Sequence, residues 1–211
     1  FFFFGSHFSE AVKLEPLFGV LLIEPFIFLR VMNRKLANEA LNRPSVDDFR
    51  NQQKFPITLV LDDIRSLANV GSIFRTADSF NVEEVVLCGI TGQPPHRDIQ
   101  KTALGATESV SWSYNESAVN AVNEFRSRGY RIISLEQCER STDPRLVEIE
   151  ASDRICLVLG NEVNGVDQAI IDLSDEVMEI PQLGTKHSLN VTVAGGIALW
   201  EIFKRYLTGK S

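Results

Sequence analysis

From Pro56 onward the sequence alternates short, nearly uninterrupted apolar runs with stretches of helical periodicity, and few architectures accept that pattern. ITLVLD (57–62), EVVLCG (84–89), YRIISLE (130–136), RICLVLG (154–160) and VMEIP (177–181) read as strands. Residues 70–80, 115–128, 167–174 and 188–207 read as helices. A strand apolar at almost every position must be covered on both faces, which a parallel sheet sandwiched between helices provides. The prediction is an α/β fold, a mostly parallel sheet with helices on both faces, forming one domain over residues 56–211.

Two segments precede that domain. Eight of the fourteen Phe fall within the first 28 residues, and the longest uncharged run there, Pro16 to Ile23, is far short of the roughly 20 residues of a membrane span. Residues 1–31 therefore read as a non-native or disordered extension, with Met32 as the natural start. Residues 32–55 hold five basic residues (Arg34, Lys35, Arg43, Arg50, Lys54) against three acidic ones, in a chain whose net charge is −7. They read as one or two short helices, broken at Pro44 and restarted by the S-x-x-D pattern of Ser45 and Asp48. The segment is a candidate RNA contact, and equally an ordinary solvated helix packed on the domain. The overall acidity excludes a generally basic nucleic-acid coat, so a polyanion would have to be held locally. Cys88, Cys138 and Cys156 have no CxxC spacing and the three His lie far apart, so no metal site is expected. This cysteine usage suits a reducing compartment, the cytoplasm.

In sheets of this kind ligands sit beyond the carboxyl ends of the strands. No GxGxxG follows a strand, and TGKS (208–211) lacks both the earlier glycine and the preceding strand of a P-loop, so nucleotide folds of those types are excluded. Three strand-end segments are polar and Gly-rich. In NVGSIFRT (69–76), Asn69 could cap the helix, Gly71 could leave amide groups open to an anion, and Arg75 could lie over that gap. The same residues also read as an ordinary capped helix, with Arg75 paired to Asp62, Asp63 or Asp78. In LGNEVNG (159–165), Gly160 would admit a ligand to the backbone and Glu162 would stand at the sheet mouth, with Arg75 as a partner; the plain alternative is a Gly–Asn turn with a solvated Glu. In IPQLGTKHSLNVTVAGG (180–196), Ser188 and Asn190 come to a helix N-terminus, where Ser188 could simply be the cap. The adjacent Gly195 and Gly196 cost about 1 kcal/mol each relative to Ala, which suggests another backbone packed against them. Three such loops in one sheet favour a shared pocket.

Those three segments resemble, in order, the signature motifs of the SpoU (TrmH-like) RNA 2′-O-ribose methyltransferases of the SPOUT superfamily, and LGATE (104–108) resembles the family's Gly-Ala stretch. The resemblance spans roughly residues 56–207. It implies a deep trefoil knot at the C-terminal end, S-adenosylmethionine bound within it, and a homodimer whose active site uses both chains. Carried over by position, Leu135, Gly160, Ile180 and Leu189 are the implied cofactor contacts. Arg75, Asn69, Glu162, Ser188 and Asn190 are the implied catalytic set. A guanidinium keeps its proton, so Arg75 would clamp the substrate phosphate and lower the pKa of the ribose hydroxyl by its charge. Val163–Asn164 and Gly195–Gly196 depart from the family pattern without touching a catalytic position. A short N-terminal part leans the substrate toward tRNA over rRNA. The competing reading is a catalytically silent knotted RNA-binding or assembly factor.

Overall fold

The computed structural model describes residues 35–208, and the expectations for residues 1–31 lie outside them. The chain divides into two units, residues 1–42 and 43–211. In the first, Asn38–Leu41 forms a 3-10 turn closed by Asn42 in the left-handed conformation. The second begins with α1 (Val46–Asn51), where Ser45 Oγ accepts the Asp48 N–H at 3.1 Å, as the S-x-x-D spacing predicts. Phe49 of α1 is buried in the main core. Lys54, one of the five basic residues of the 32–55 stretch, is consumed structurally: its ammonium lies 3.3 Å from the Phe49 ring centroid and donates to Asn81 Oδ1.

The elements that follow are β1 (Phe55–Asp62), α2 (Leu67–Ser79), β2 (Val82–Cys88), α3 (Arg97–Ala103), α4 (Ala106–Ser109), β3 (Trp112–Asn115), α5 (Ala118–Ser127), β4 (Arg131–Leu135), β5 (Ile155–Leu159), α6 (Gln168–Leu173), β6 (Glu176–Met178) and α7 (Val191–Thr208). The six strands form one sheet in the order β3-β2-β1-β5-β4-β6, and every pair is parallel. Alternation along the strands explains the apolar runs. Ile57, Leu59 and Leu61 of β1 and Ile155, Leu157 and Leu159 of β5 join the core shared with α2, α3 and α7. Val60, Cys156 and Val158 join the opposite core, shared with α5 and α6.

The differences from expectation lie at ends and edges. β3 lies within residues where no strand was expected, because WSYN is a short edge strand with half its positions exposed and carries little periodic signal. Helix α2 starts at Leu67 rather than Val70, capped by Ser66. Helix α7 starts at Val191 rather than Ser188.

Candidate active site

The carboxyl ends of β4, β5 and β6 open into a cavity of about 450 Å³, with Leu135, Leu159 and Met178 as its floor. One wall is the loop after β5, shaped by its own sequence. Asn161 and Gly165 exchange both backbone hydrogen bonds at 2.9 Å, and Asn161 Oδ1 accepts the N–H groups of Val163 and Asn164. Its amide also donates to the carbonyl of Asp63 beyond β1. A Cβ on Gly160 would stand 2.3 Å from the Gly165 carbonyl carbon and the Val166 nitrogen, so the glycine is demanded by the loop folding back on itself. Gly160 nonetheless lines the cavity, so the fold's need for the glycine adds to the expected ligand approach and does not replace it. The opposite wall runs through Glu179, Ile180 and Gln182 to Ser188, Leu189, Asn190 and Ala194. The lining includes three carboxylates, Glu136, Glu162 and Glu179, and no Lys, Arg or His.

Glu162 links this cavity to α2. Its Oε2 accepts the Arg65 N–H at 2.9 Å, and its Oε1 accepts the Ser66 N–H at 3.0 Å and the Asn69 side-chain amide at 2.8 Å. The anion at the start of α2 is therefore the chain's own carboxylate, seated where free amide groups and the helix dipole favour negative charge. Partial burial pushes the Glu162 pKa up, but the donors Arg65, Asn69 and Ser66 outweigh it and hold the carboxyl below its ordinary value. Asn69 in turn accepts from the Asn190 amide at 3.2 Å. Asn190 Oδ1 accepts the backbone and hydroxyl of Thr192, which makes Asn190, rather than Ser188, the cap of α7. One chain of hydrogen bonds thus joins all three polar segments.

Leu135, Gly160, Ile180 and Leu189 line the cavity together with Glu162, Ser188 and Asn190. Asn69 stands behind the wall, bonded to Glu162 and Asn190. Arg75 does not line the cavity: it is exposed on α2, and its guanidinium has no hydrogen-bond or ion-pair partner among the described residues. Its expected pairing with Glu162 is overturned: the Glu162 carboxylate is held by the Arg65 and Ser66 N–H groups and the Asn69 amide, and Arg75 makes no ion pair among the described residues. Pairing with the three aspartates also fails: Asp62 accepts from Asp167 N–H, Asp63 from Ile90 N–H and Asp78 from the Ser109 hydroxyl.

Gly71 is not an anion gap either. It lies one turn inside α2, where a Cβ would come within 2.2 Å of the Ile99 carbonyl and the Thr102 hydroxyl of α3, so it permits close helix packing. Of the paired glycines, Gly195 faces the Leu159 side chain, whose Cδ1 would be 2.8 Å from a Cβ; Gly196 has nothing nearer than Thr76 Cγ2 at 4.0 Å. Neither packs against a backbone, as had been expected. Residues at the site outside the sequence-derived segments are Ser66, Glu136 and Gln137. Glu136 and Gln137 follow a strand directly, and that position was the available signal.

Among the described residues no group of three or more His, Cys, Asp or Glu side chains is placed to hold a metal ion. No described helix is long and apolar enough to cross a membrane.

The model of the SpoU rRNA Methylase family matches residues 56–200. A provisionally named TrmH family tRNA/rRNA methyltransferase of Staphylococcus saprophyticus is 29% identical over 154 residues, 73% of this chain and 61% of its own length. The chain thus spans less than two thirds of that relative. The 23S rRNA (guanosine-2'-O-)-methyltransferase RlmB of Vibrio parahaemolyticus is 26% identical over 180 residues, 85% of this chain and 72% of its own. Among solved structures, the A. aeolicus TrmH/SpoU tRNA modifying enzyme superposes with TM-score 0.67 at 27% identity, covering 76% of this chain and 79% of that one. The AdoMet-bound rRNA methyltransferase of Sinorhizobium meliloti gives TM-score 0.67 at 26% identity, covering 75% and 60%.

Proposed function

Because this chain belongs to the SpoU rRNA Methylase family, we propose that it transfers a methyl group from S-adenosylmethionine to a ribose 2′-hydroxyl of RNA. The observation that carries the reading is that two of the polar strand-end segments line one anionic cavity while the third is bonded to both of them through Asn69, behind its wall. When bound, S-adenosylmethionine supplies an electrophilic methyl group on a cationic sulfonium. A cavity with three carboxylates and no cation suits a ligand carrying sulfonium and ammonium charges, and disfavours phosphates. Leu135, Ile180 and Leu189 would hold the adenine by apolar contact and backbone groups, beside the loop that Gly160 shapes.

Arg75, exposed and unpartnered among the described residues, clamps an RNA phosphate and lowers the pKa of the 2′-hydroxyl by its charge. Ser188 and Asn190 orient the ribose at the cavity mouth, with Asn69 and Glu162 fixing Asn190. Since Arg75 stands outside its own cavity, it serves the cavity of a second copy in a homodimer. The α2–α7 surface supports this: Val193, Ile197 and Trp200 of α7 are 40–49% exposed on the helix packed beside α2. A deep trefoil knot is part of the same reading. It is supported by the path of the chain from β6 at the sheet edge back to the centre, where Gly195 meets Leu159 of β5. The enzyme is taken as cytoplasmic. The substrate is taken as tRNA over rRNA, with support from the coverage of the tRNA-modifying neighbour.

The test is methyl transfer from labelled S-adenosylmethionine to separate tRNA and rRNA pools, with cofactor binding followed by calorimetry. Transfer should fall about 100-fold or more in Arg75→Ala, as for loss of a charge-stabilising donor, with cofactor affinity retained. Cofactor binding without transfer to any RNA would favour the silent RNA-binding factor, and RNA affinity would then be indifferent to Glu162→Ala and Asn190→Ala.

A further inference from the structure

Three chain segments wall the cavity, and all of them are tied to one dipeptide at the end of β4. The Glu136 N–H donates to the Met178 carbonyl at 3.0 Å, fixing it to β6. Glu136 Oε2 accepts the Val166 N–H at 2.9 Å, and its Oε1 accepts the Gln137 N–H at 2.8 Å. The carboxylate sits so close to the loop after β5 that a Cβ on Gly165 would lie 2.1 Å from Oε2, and Gly165 has a φ of +72° that favours glycine. Gln137 Nε2 donates to the His187 carbonyl at 3.0 Å, on the segment that leads into Ser188 and Asn190. That segment has little else to hold it: Leu183 is fully exposed, and a Cβ on Gly184 would meet nothing within 4 Å. Both Glu136 and Gln137 face the cavity, yet neither lies in the three segments that identified the site.

We infer that Glu136 and Gln137 form a clasp that sets the distance between the two cavity walls and thereby the affinity for the cofactor. The inference rests on the cavity being the S-adenosylmethionine site. Both are positioning residues: Glu136 holds the loop containing Glu162 through Val166, and Gln137 holds the segment containing Ser188 through His187. The segment that Gln137 holds carries the cofactor contact Leu189 as well as Ser188 and Asn190, so loss of the clasp falls first on cofactor binding and KM for the cofactor, and on kcat as far as the ribose contacts shift with it. A general loss of folded protein would instead lower kcat with KM unmoved.

The experiment uses the full chain and S-adenosylhomocysteine as the calorimetric probe, with KM and kcat from the methyl-transfer assay. Gln137→Ala, Gln137→Glu, Glu136→Gln and Glu136→Ala are compared with the unaltered chain. Both Gln137 variants should weaken binding about tenfold or more and raise KM for S-adenosylmethionine by the same factor. Gln137→Glu should match Gln137→Ala, because an ionised carboxylate cannot donate to the His187 carbonyl. Glu136→Gln, which keeps one acceptor for the Val166 N–H, should fall between the unaltered chain and Glu136→Ala. Amide exchange over 182–190 should quicken in the Gln137 variants. Binding and KM within twofold of the unaltered chain for Gln137→Ala, at an exposed position, would overturn the clasp and leave the cofactor reading standing. Failure of the unaltered chain to bind S-adenosylhomocysteine would overturn the cofactor reading and the clasp with it.

Discussion

Replacing Glu162 by Gln separates a carboxylate that builds the site from one that reacts in it. Glu162 uses three acceptor positions, for the Arg65 N–H, the Ser66 N–H and the Asn69 amide. Gln can keep its oxygen toward Ser66 and Asn69, where two donors are satisfied, but its NH₂ then confronts the Arg65 N–H. The variant loses one charge-assisted hydrogen bond, about 1.5–3 kcal/mol, and the charge at the α2 N-terminus, about 0.3–1 kcal/mol. Partial exposure favours the lower end, so the expected destabilisation at neutral pH is about 2 kcal/mol. The depressed pKa of Glu162 gives this a pH signature. Stabilisation by the carboxylate is complete above the ordinary value of 4.5 and is lost as pH falls through the lower folded value. Urea denaturation of the two proteins at pH 7 and in progressively more acid buffer should show the gap closing, because protonated Glu162 has the same donor problem as Gln. Exchange of the Arg65 amide should quicken in the variant. A gap that persists unchanged into acid, or an Arg65 amide equally protected in both proteins, would refute the capping role.

Two further measurements probe the packing. Gly71→Ala places a methyl against α3 backbone and should cost about 1–3 kcal/mol, whereas Gly196→Ala has room beside Thr76 and should gain about 0.5–1 kcal/mol from helix propensity; melting temperatures should move in opposite directions, and shifts of the same sign would contradict the assigned contacts. Among the thiols, burial followed by repulsion from Asp62 and Asp63 pushes Cys88 up to about 12, and burial pushes Cys156 up as well. An aromatic disulfide reagent at pH 8 should therefore modify only Cys138 in the folded protein, and that slowly, because desolvation and then Glu136 and Glu179 raise its pKa. Fast reaction of two or more thiols would contradict the burial.

The parallel sheet was legible because both of its faces are buried, and burial on two faces writes itself into consecutive residues. RICLVLG could be little else, and Ile155 to Leu159 are buried without exception. Motif residues were legible only in combination: each segment alone also reads as an ordinary capped helix or turn, and it is three polar, Gly-rich strand-end loops in one sheet that point to a shared pocket. What each does there was not legible. Gly71, Gly160 and Gly195 each marked a place where a side chain is excluded, but whether the neighbour is helix α3, the loop's own backbone or the Leu159 side chain depends on residues 5 to 36 positions distant in sequence. Opposite charges at neighbouring strand ends suggest a pair of Glu162 with Arg75; the fold instead supplies amide donors from 93 to 97 residues away, which no local pattern encodes. Glu136 and Gln137 carried no sign beyond their place at a strand end, because a hydrogen bond to a distant backbone group leaves no trace in the sequence of either partner. Local chemistry decided which segments line the site; the order of strands across the sheet decided which of their atoms meet, because that order alone brings the ends of β4, β5 and β6 to one cavity.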